Sequence, residues 1–181
     1  MSTAFTDCMS MSPMVNLAGY GVEADHFRSL AAALPTGVSV VTTLTADGAP
    51  VGMTSGAVCG LSCEPPLVLV CIARGSRTLR EIKGRRSFCV NVLASGADAL
   101  SNRFASAGGD KFTGVDWRPG PGGVPVLSTG TTAHAVCELY QIVPGGDHEI
   151  VIGLIVAGDS DPSDSPLVYY RRTYAGFDAL A

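Results

Sequence analysis

The sequence predicts a mainly β fold, an antiparallel barrel with a few short helices at its periphery. Three observations carry this. Apolar, β-branched runs recur between turn signals at residues 38–44, 67–72, 88–93, 133–143 and 148–157. Twenty-two glycines and eleven prolines in 181 residues suit a turn-rich sheet better than a helical bundle. Short hairpin signals, Asp47-Gly48 and Pro144-Gly145-Gly146-Asp147, join neighbouring runs and favour antiparallel pairing.

Taken in order, residues 1–21 are small and polar with scattered methionines, and are expected to form a flexible arm. Residues 22–181 then read as one domain, with no repeat or linker that asks for a second. A first helix is expected over 25–34, where Phe27, Leu30, Ala31 and Leu34 share a face and Asp25 caps the start. Pro35-Thr36-Gly37 stops it. Residues 38–44 and 50–54 pair as strands across Asp47-Gly48. A segment of small residues over 52–66 leads through Pro65-Pro66 into 67–72, an apolar central strand. A short helix over 77–83 turns Leu79 and Ile82 inward and is expected to close at Gly84. A strand at 88–93 precedes a helix over 97–104, with Ala97, Leu100 and Phe104 on one side. Residues 108–123 form a long loop containing Lys111-Phe112 and Trp117, and loops of this length are usually functional or disordered. The hairpin 133–143/148–157, a polar loop at 159–166 and a last strand at 167–170 complete the chain.

Composition narrows the function. Hydrophobic residues make up 46% and charged residues 15%, and mean hydropathy is +0.30. No apolar run approaches the roughly 20 residues of a membrane helix, so no membrane partner is expected. The apolar surplus is better buried against a second copy, since homodimer interfaces resemble a core cut in half. A net charge of −4 argues against nucleic acid. Basic residues do cluster between Arg74 and Arg86, enough to receive a small phosphorylated ligand. The six cysteines (Cys8, Cys59, Cys63, Cys71, Cys89 and Cys137) show no C-x-x-C and follow no signal peptide. They are expected to be reduced, buried hydrophobes in a cytoplasmic protein. No Cys/His pair has zinc-ligand spacing, so no metal is expected.

The segment Gly52-Met53-Thr54-Ser55-Gly56-Ala57-Val58-Cys59-Gly60-Leu61-Ser62-Cys63-Glu64-Pro65-Pro66 is the most informative. Few side chains stand in the way of a ligand reaching its backbone amides, and Thr54, Ser55 and Ser62 add hydroxyls. It lacks the G-x-G-x-x-G and Walker patterns. Composition alone favours a tight loop between two strands. His148 starts a strand after a Gly-Gly turn, either as a solvated turn residue or at a pocket edge. His26 and His134 read as structural. Lys111-Phe112 is either a cation with an aromatic lid or a solvated lysine beside an anchor. Nothing here has the arrangement of hydrolytic machinery, so an enzymatic chain of this kind would lean on a bound cofactor.

Together, Phe27-Arg28, Pro35-Thr36-Gly37-Val38-Ser39-Val40-Val41-Thr42-Thr43, Gly52-Met53-Thr54, Ser62-x-x-Pro65-Pro66-Leu67-Val68, Phe88-x-Val90-Asn91-Val92-Leu93, Lys111-Phe112, Gly146-Asp147-His148 and Pro166-Leu167-Val168-Tyr169-Tyr170 resemble the short-chain flavin reductase family. These are the reductase partners of two-component flavin-dependent monooxygenases. The resemblance implies a split antiparallel β-barrel of the FMN-binding type, normally a homodimer. It implies reduction of FAD or FMN by NADH or NADPH, with reduced flavin released to a separate oxygenase. FAD and NADH are the expected pair, FMN the alternative flavin. Two other readings fit the same barrel: a flavoprotein that keeps its flavin for another acceptor, and a non-catalytic flavin carrier.

Carried onto this chain, the resemblance places Thr36, Gly37, Val38 and Ser39, and Met53, Thr54, Ser55, Gly56 and Ala57, along the flavin. Leu61 and Ser62 would lie near its ring. Ser76, Arg77 and Thr78 would approach the ribityl phosphate, Asn91 would support the pocket floor, and Lys111-Phe112 would close over the flavin. His148 would position the nicotinamide. Family members often carry a polar side chain where this chain has Gly56, and a phenylalanine at Val58. Altered ribityl or phosphate contacts and a roomier pocket are therefore expected.

Overall fold

The computed structural model describes residues 20–177. Most of the arm expected over 1–21 lies outside the described residues. The chain forms two units, residues 1–31 and residues 32–181. The first contributes α1 (Ala24–Ala32), whose first turn holds an Asp25–Arg28 ion pair.

The second unit is a sheet protein. Its strands are β1 (Thr36–Gly37), β2 (Ser39–Leu44), β3 (Pro50–Ser55), β4 (Val58–Cys63), β5 (Pro66–Ala73), β6 (Ser87–Leu93), β7 (Trp117–Pro119), β8 (Pro125–Leu127), β9 (Thr131–Gly145), β10 (His148–Ser160), β11 (Leu167–Tyr170) and β12 (Thr173–Gly176). Two helices interrupt them, α2 (Arg77–Arg85) and α3 (Asp98–Ala105). Seven strands form one antiparallel sheet in the order β3-β2-β6-β9-β10-β5-β4. Strands β1, β11 and β12 make a small second sheet, and β7 pairs with β8.

The large sheet is strongly curved. Val41 of β2, Val70 and Ile72 of β5, Phe88 of β6, Cys137 of β9 and Val151 of β10 all pack in one apolar cluster. Residues from strands that far apart in the sheet order can meet only if the sheet wraps around them. Leu79 and Ile82 of α2 join the same cluster, so this helix plugs the wrapped sheet. The two end strands, β3 and β4, are joined by Gly56-Ala57 alone. At Gly153 the walls come so close that a Cβ would stand 2.5 Å from Phe88 Cζ and 2.7 Å from Cys137 Cβ. A second cluster, Val38, Val40, Leu93, Phe104, Phe112, Leu127 and Leu167, packs α3 against the small sheet.

Several expectations need correction. The segment 52–66 is not a loop. It is the end of β3, a two-residue turn and the edge strand β4, because backbone pairing with β5 suits small residues as well as branched ones. Gly84 lies inside α2, and the stop is Arg86, in the left-handed conformation at φ 57° with its N–H on the Ile82 carbonyl. The loop 108–123 contains β7, and β12 follows a turn in which Arg171 and Arg172 both have positive φ. Cys59 and Cys63 are exposed rather than buried, because β4 is an edge, whereas Cys89 and Cys137 are core residues.

Candidate active site

The α2 N-terminus, β3 and the loop after α3 enclose a cavity of about 690 Å³. That lies within the range of small-molecule and cofactor sites. Met53, Ser76, Arg77, Thr78, Lys111 and Phe112 all line it, joined by Gly52, Gly75 and the stretch Ser106-Ala107-Gly108-Gly109-Asp110. Six residues singled out in sequence thus converge on one space, although they come from three separate parts of the chain.

Each is set in place by a local cause. The β3 pairing register with β2, Met53 opposite Val41, brings Met53 to the cavity, and Ser76 Oγ contacts Met53 Sδ at 3.2 Å. That hydroxyl does not cap α2, so the helix's first N–H groups keep their donor capacity toward the cavity mouth. Lys111 Nζ donates to the Phe104 carbonyl at 2.8 Å and lies 3.4 Å from the Gly52 carbonyl. Burial lowers the Lys111 pKa from its ordinary value. Asp110 fixes the loop, accepting from Thr113 Oγ1 at 2.5 Å and from the Phe112 N–H at 2.9 Å. The same two bonds, the hydroxyl first, hold its carboxyl below the usual range. Arg77 and Lys111 bring two cations to a lining that also carries the Asp110 carboxylate, and a helix N-terminus adds to the positive side.

Phe112 does not act as a lid. Its side chain is buried, edge-on to Phe104 at 5.0 Å and to Trp117 at 6.2 Å, so it anchors the loop that carries Lys111. Gly52 serves packing: a Cβ there would stand 3.0 Å from Phe104 Cε1 and from the Val41 carbonyl oxygen.

A second group lies further along β3. Ser55 Oγ accepts from the Ala57 N–H at 3.1 Å and shapes the turn. Gly56 faces β1, with its missing Cβ site 2.8 Å from Thr36 Oγ1 and 3.8 Å from the Gly37 carbonyl oxygen. Thr36, Gly37, Ser55, Gly56 and Ala57 are therefore neighbours. Thr54 points elsewhere, donating to the Ser101 carbonyl at 2.6 Å. Val38 and Ser39 are buried, Val38 in the second core cluster. Leu61 and Ser62 sit on the edge strand, with Leu61 exposed.

Asn91 has no accessible surface and its amide is spent on the scaffold. Nδ2 donates to the Val40 carbonyl at 3.0 Å and to Thr42 Oγ1 at 3.2 Å, while Oδ1 accepts from the Leu127 N–H at 2.9 Å. It is a clip joining β2, β6 and β8, not a floor with polar atoms to offer. His148 opens β10 opposite Ala73. Its Nδ1 is 2.7 Å from Asp147 Oδ1, and that bond is the main cause of the lowered Asp147 pKa. The Arg74 N–H donates to the Asp147 carbonyl at 3.0 Å, so the His148 turn flanks the β5–α2 connection without lining the cavity. Among the described residues, no group of three His, Cys, Asp or Glu side chains could hold a metal.

Sequence reasoning missed Gly75 and the stretch 106–109 of the lining. The Ala107-Gly108-Gly109 composition was a signal, since both glycines take positive φ.

Known proteins share this architecture. A chain from Streptomyces globisporus C-1027, described as an NADH:FAD oxidoreductase in complex with NAD and FAD fragments, superposes with a TM-score of 0.83 at 28% identity, covering 94% of this chain and 99% of that one. A protein of Kitasatospora aureofaciens named flavin reductase (NADH) is 50% identical, over 91% of this chain and 87% of its own length. The reductase subunit HsaB of a flavin-dependent monooxygenase from Rhodococcus jostii is 38% identical, over 90% and 82%. The model of the flavin reductase like domain matches residues 31–178. This chain belongs to the flavin reductase like domain family.

Proposed function

We propose that this family member is an NADH:flavin oxidoreductase that reduces FAD or FMN and releases the product to a separate monooxygenase. The observation that carries the reading is the cavity where Met53, Ser76, Arg77, Thr78 and Lys111 converge. Its two cations and helix N-terminus suit a phosphate, and its volume of about 690 Å³ leaves room for the uncharged part of such a ligand. The donor set therefore fits a flavin nucleotide. When bound, flavin supplies a hydride acceptor at N5, and the protein need only bring the nicotinamide against it at roughly 3–3.5 Å.

The chain's own residues bind, orient and exclude water. Arg77, Lys111 and the first turn of α2 would hold the phosphate, with Thr78, Ser76 and Met53 beside them in the same lining. Asp147, ionised, accepts from His148 Nδ1, which makes Nε2 the acceptor of the neutral ring. That nitrogen is available to the carboxamide of a nicotinamide. NADH is favoured by the name of the Kitasatospora relative, and a separate oxygenase by that of the Rhodococcus one.

The split-barrel form and the homodimer belong to the same reading. On β5 and β10, Val70, Ile72 and Val151 turn inward, so Leu69 and Cys71 lie on the other face opposite Ile152 and Ile150. That half-exposed apolar patch suits a second copy. The cytoplasm, where thiols such as Cys63 stay reduced, is the fitting compartment.

Steady-state oxidation of NADH and NADPH with FAD, FMN and riboflavin in turn tests the reading. Turnover with free flavin in excess of enzyme is expected, with NADH preferred. Flavin that co-purifies and survives dialysis would instead select the retained-flavin enzyme, and binding without NADH oxidation would select a carrier. His148→Ala is expected to raise the KM for NADH several-fold and leave that for flavin unchanged.

A further inference from the structure

Glu149 is a shielded carboxylate that lies outside the cavity lining. On β10 it stands opposite Ile72 of the core cluster, and opposed residues of an antiparallel pair share a face of the sheet. Its side chain is only 17% exposed, and Oε2 is closed to solvent and makes no hydrogen bond among the described residues. The compensating charge is Lys83, in the last turn of α2, whose Nζ donates to Oε1 at 2.9 Å and lies 2.7 Å from Oε2. A carboxylate so shielded is costly without its partner, because water cannot take the partner's place.

The two partners are held with different firmness. Strand β10 pairs with β9 on one side and β5 on the other, so its start is fixed by hydrogen bonds along both edges. Helix α2 is anchored through the buried residues Thr78, Leu79 and Ile82. Apolar burial is non-directional, so it holds the helix down on the sheet more firmly than it sets the direction of its axis. Two polar ties add that direction. The Arg74 N–H donates to the Asp147 carbonyl at 3.0 Å just before the helix, and Lys83 meets Glu149 near its end. Both ties run to the start of β10.

We propose that Lys83 and Glu149 are positioning residues that fix the axis of α2, and with it the aim of the helix's first turn at the cavity lined by Ser76, Arg77 and Thr78. The proposal rests on the flavin reading above and adds to it two residues outside the cavity lining. The part of the ligand that depends on this aim is the phosphate. The attraction of an anion to a helix N-terminus falls off within the first turn, so a small swing of the axis is felt at the phosphate and not by the uncharged part of the flavin.

The test compares FMN with riboflavin, which has no phosphate, by quenching of flavin fluorescence and by turnover. Lys83→Met keeps an unbranched stem on the helix surface and removes the ammonium. Glu149→Gln keeps the shape and turns one of the two oxygens into a donor facing Nζ. Both break the tie, so both should weaken FMN binding ~2- to 10-fold, while riboflavin affinity and the KM for NADH keep their parent values. Lys83→Arg, whose forked guanidinium matches both carboxylate oxygens, should bind FMN as the parent does. The bare field of the two charges predicts a different pattern: losing the cation weakens FMN and losing the carboxylate strengthens it. Opposite signs in the two variants, or a change in only one or in neither, would overturn the proposal. Equal weakening for riboflavin would overturn it as well, by revealing a general loosening, and so would an Lys83→Arg variant as weak as Lys83→Met. Absence of flavin binding by the unsubstituted protein would instead remove the functional reading itself.

Discussion

Replacing Asn91 by alanine separates a scaffold role from a ligand role. The side chain is fully buried and takes part in four hydrogen bonds: Nδ2 donates to the Val40 carbonyl and to Thr42 Oγ1, and Oδ1 accepts from the Leu127 N–H and, at 3.6 Å, from Cys89 Sγ. Thr42 keeps a partner without it, because its hydroxyl also donates to the Pro125 carbonyl at 2.5 Å. The Leu127 N–H loses the partner its burial demands, and the Val40 carbonyl loses one of its donors. Each buried group left short costs about 1–3 kcal/mol, so the two together come to roughly 4 kcal/mol. Against a total stability of about 5–15 kcal/mol that is a large share, and it corresponds to a fall in Tm of roughly 8–16 °C for a domain this size. Urea unfolding followed by the fluorescence of Trp117, the single tryptophan, measures it. At 10 °C, where the variant remains folded, the KM for flavin should match that of the parent. An unchanged unfolding midpoint with a tenfold higher flavin KM would refute the scaffold argument and return Asn91 to the ligand.

Burial pushes the thiols of Cys89 and Cys137 up to about 12, so at pH 8 iodoacetamide should label exposed Cys63 in the folded protein and reach those two only after unfolding. Equal labelling rates in both states, read by peptide mass spectrometry, would contradict the packing of β6 on β9. His134 is lowered from its ordinary 6.5, by burial first and then by the Arg118 charge. Its unfolded form therefore binds more protons between the folded pKa and 6.5, and stability should rise with pH across that window and level off above it. Comparing the pH profiles of urea unfolding for the parent and His134→Gln isolates the contribution, and identical slopes from pH 5 to 7 would sink it.

Much of the sheet was legible because its signals are local. The run at 67–72 is apolar throughout and reads as a central strand, and Gly146-Asp147 between branched runs admits little but a hairpin. Strand β4 escaped because Val58-Cys59-Gly60-Leu61-Ser62-Cys63 is held by pairing with β5 rather than by its own propensity. Strand β12 escaped because two arginines, not glycines, take the left-handed turn before it. At the site, the family resemblance drew attention to Met53, Ser76, Arg77, Thr78 and Lys111, which the fold brings to one cavity. The inward direction of Phe112 and the saturation of Asn91 depend on partners such as Trp117 and Leu127, which no spacing rule supplies. The near-contact of Thr36 and Gly56 likewise arises only when β1 is drawn beside the β3–β4 turn.

The hairpin of β9 and β10 also bears on how this chain comes to fold. Its turn closes over two residues, whereas the other pairings at the middle of the sheet join β6 to β9 and β5 to β10 across long stretches of sequence. Short loops close cheaply and early, and distant pairings wait for a template. The hairpin is the natural nucleus, offering one edge to β6 and the other to β5. Substitutions in its turn should therefore slow refolding, while those in β1, whose partner β11 lies near the other end of the chain, should mainly hasten unfolding.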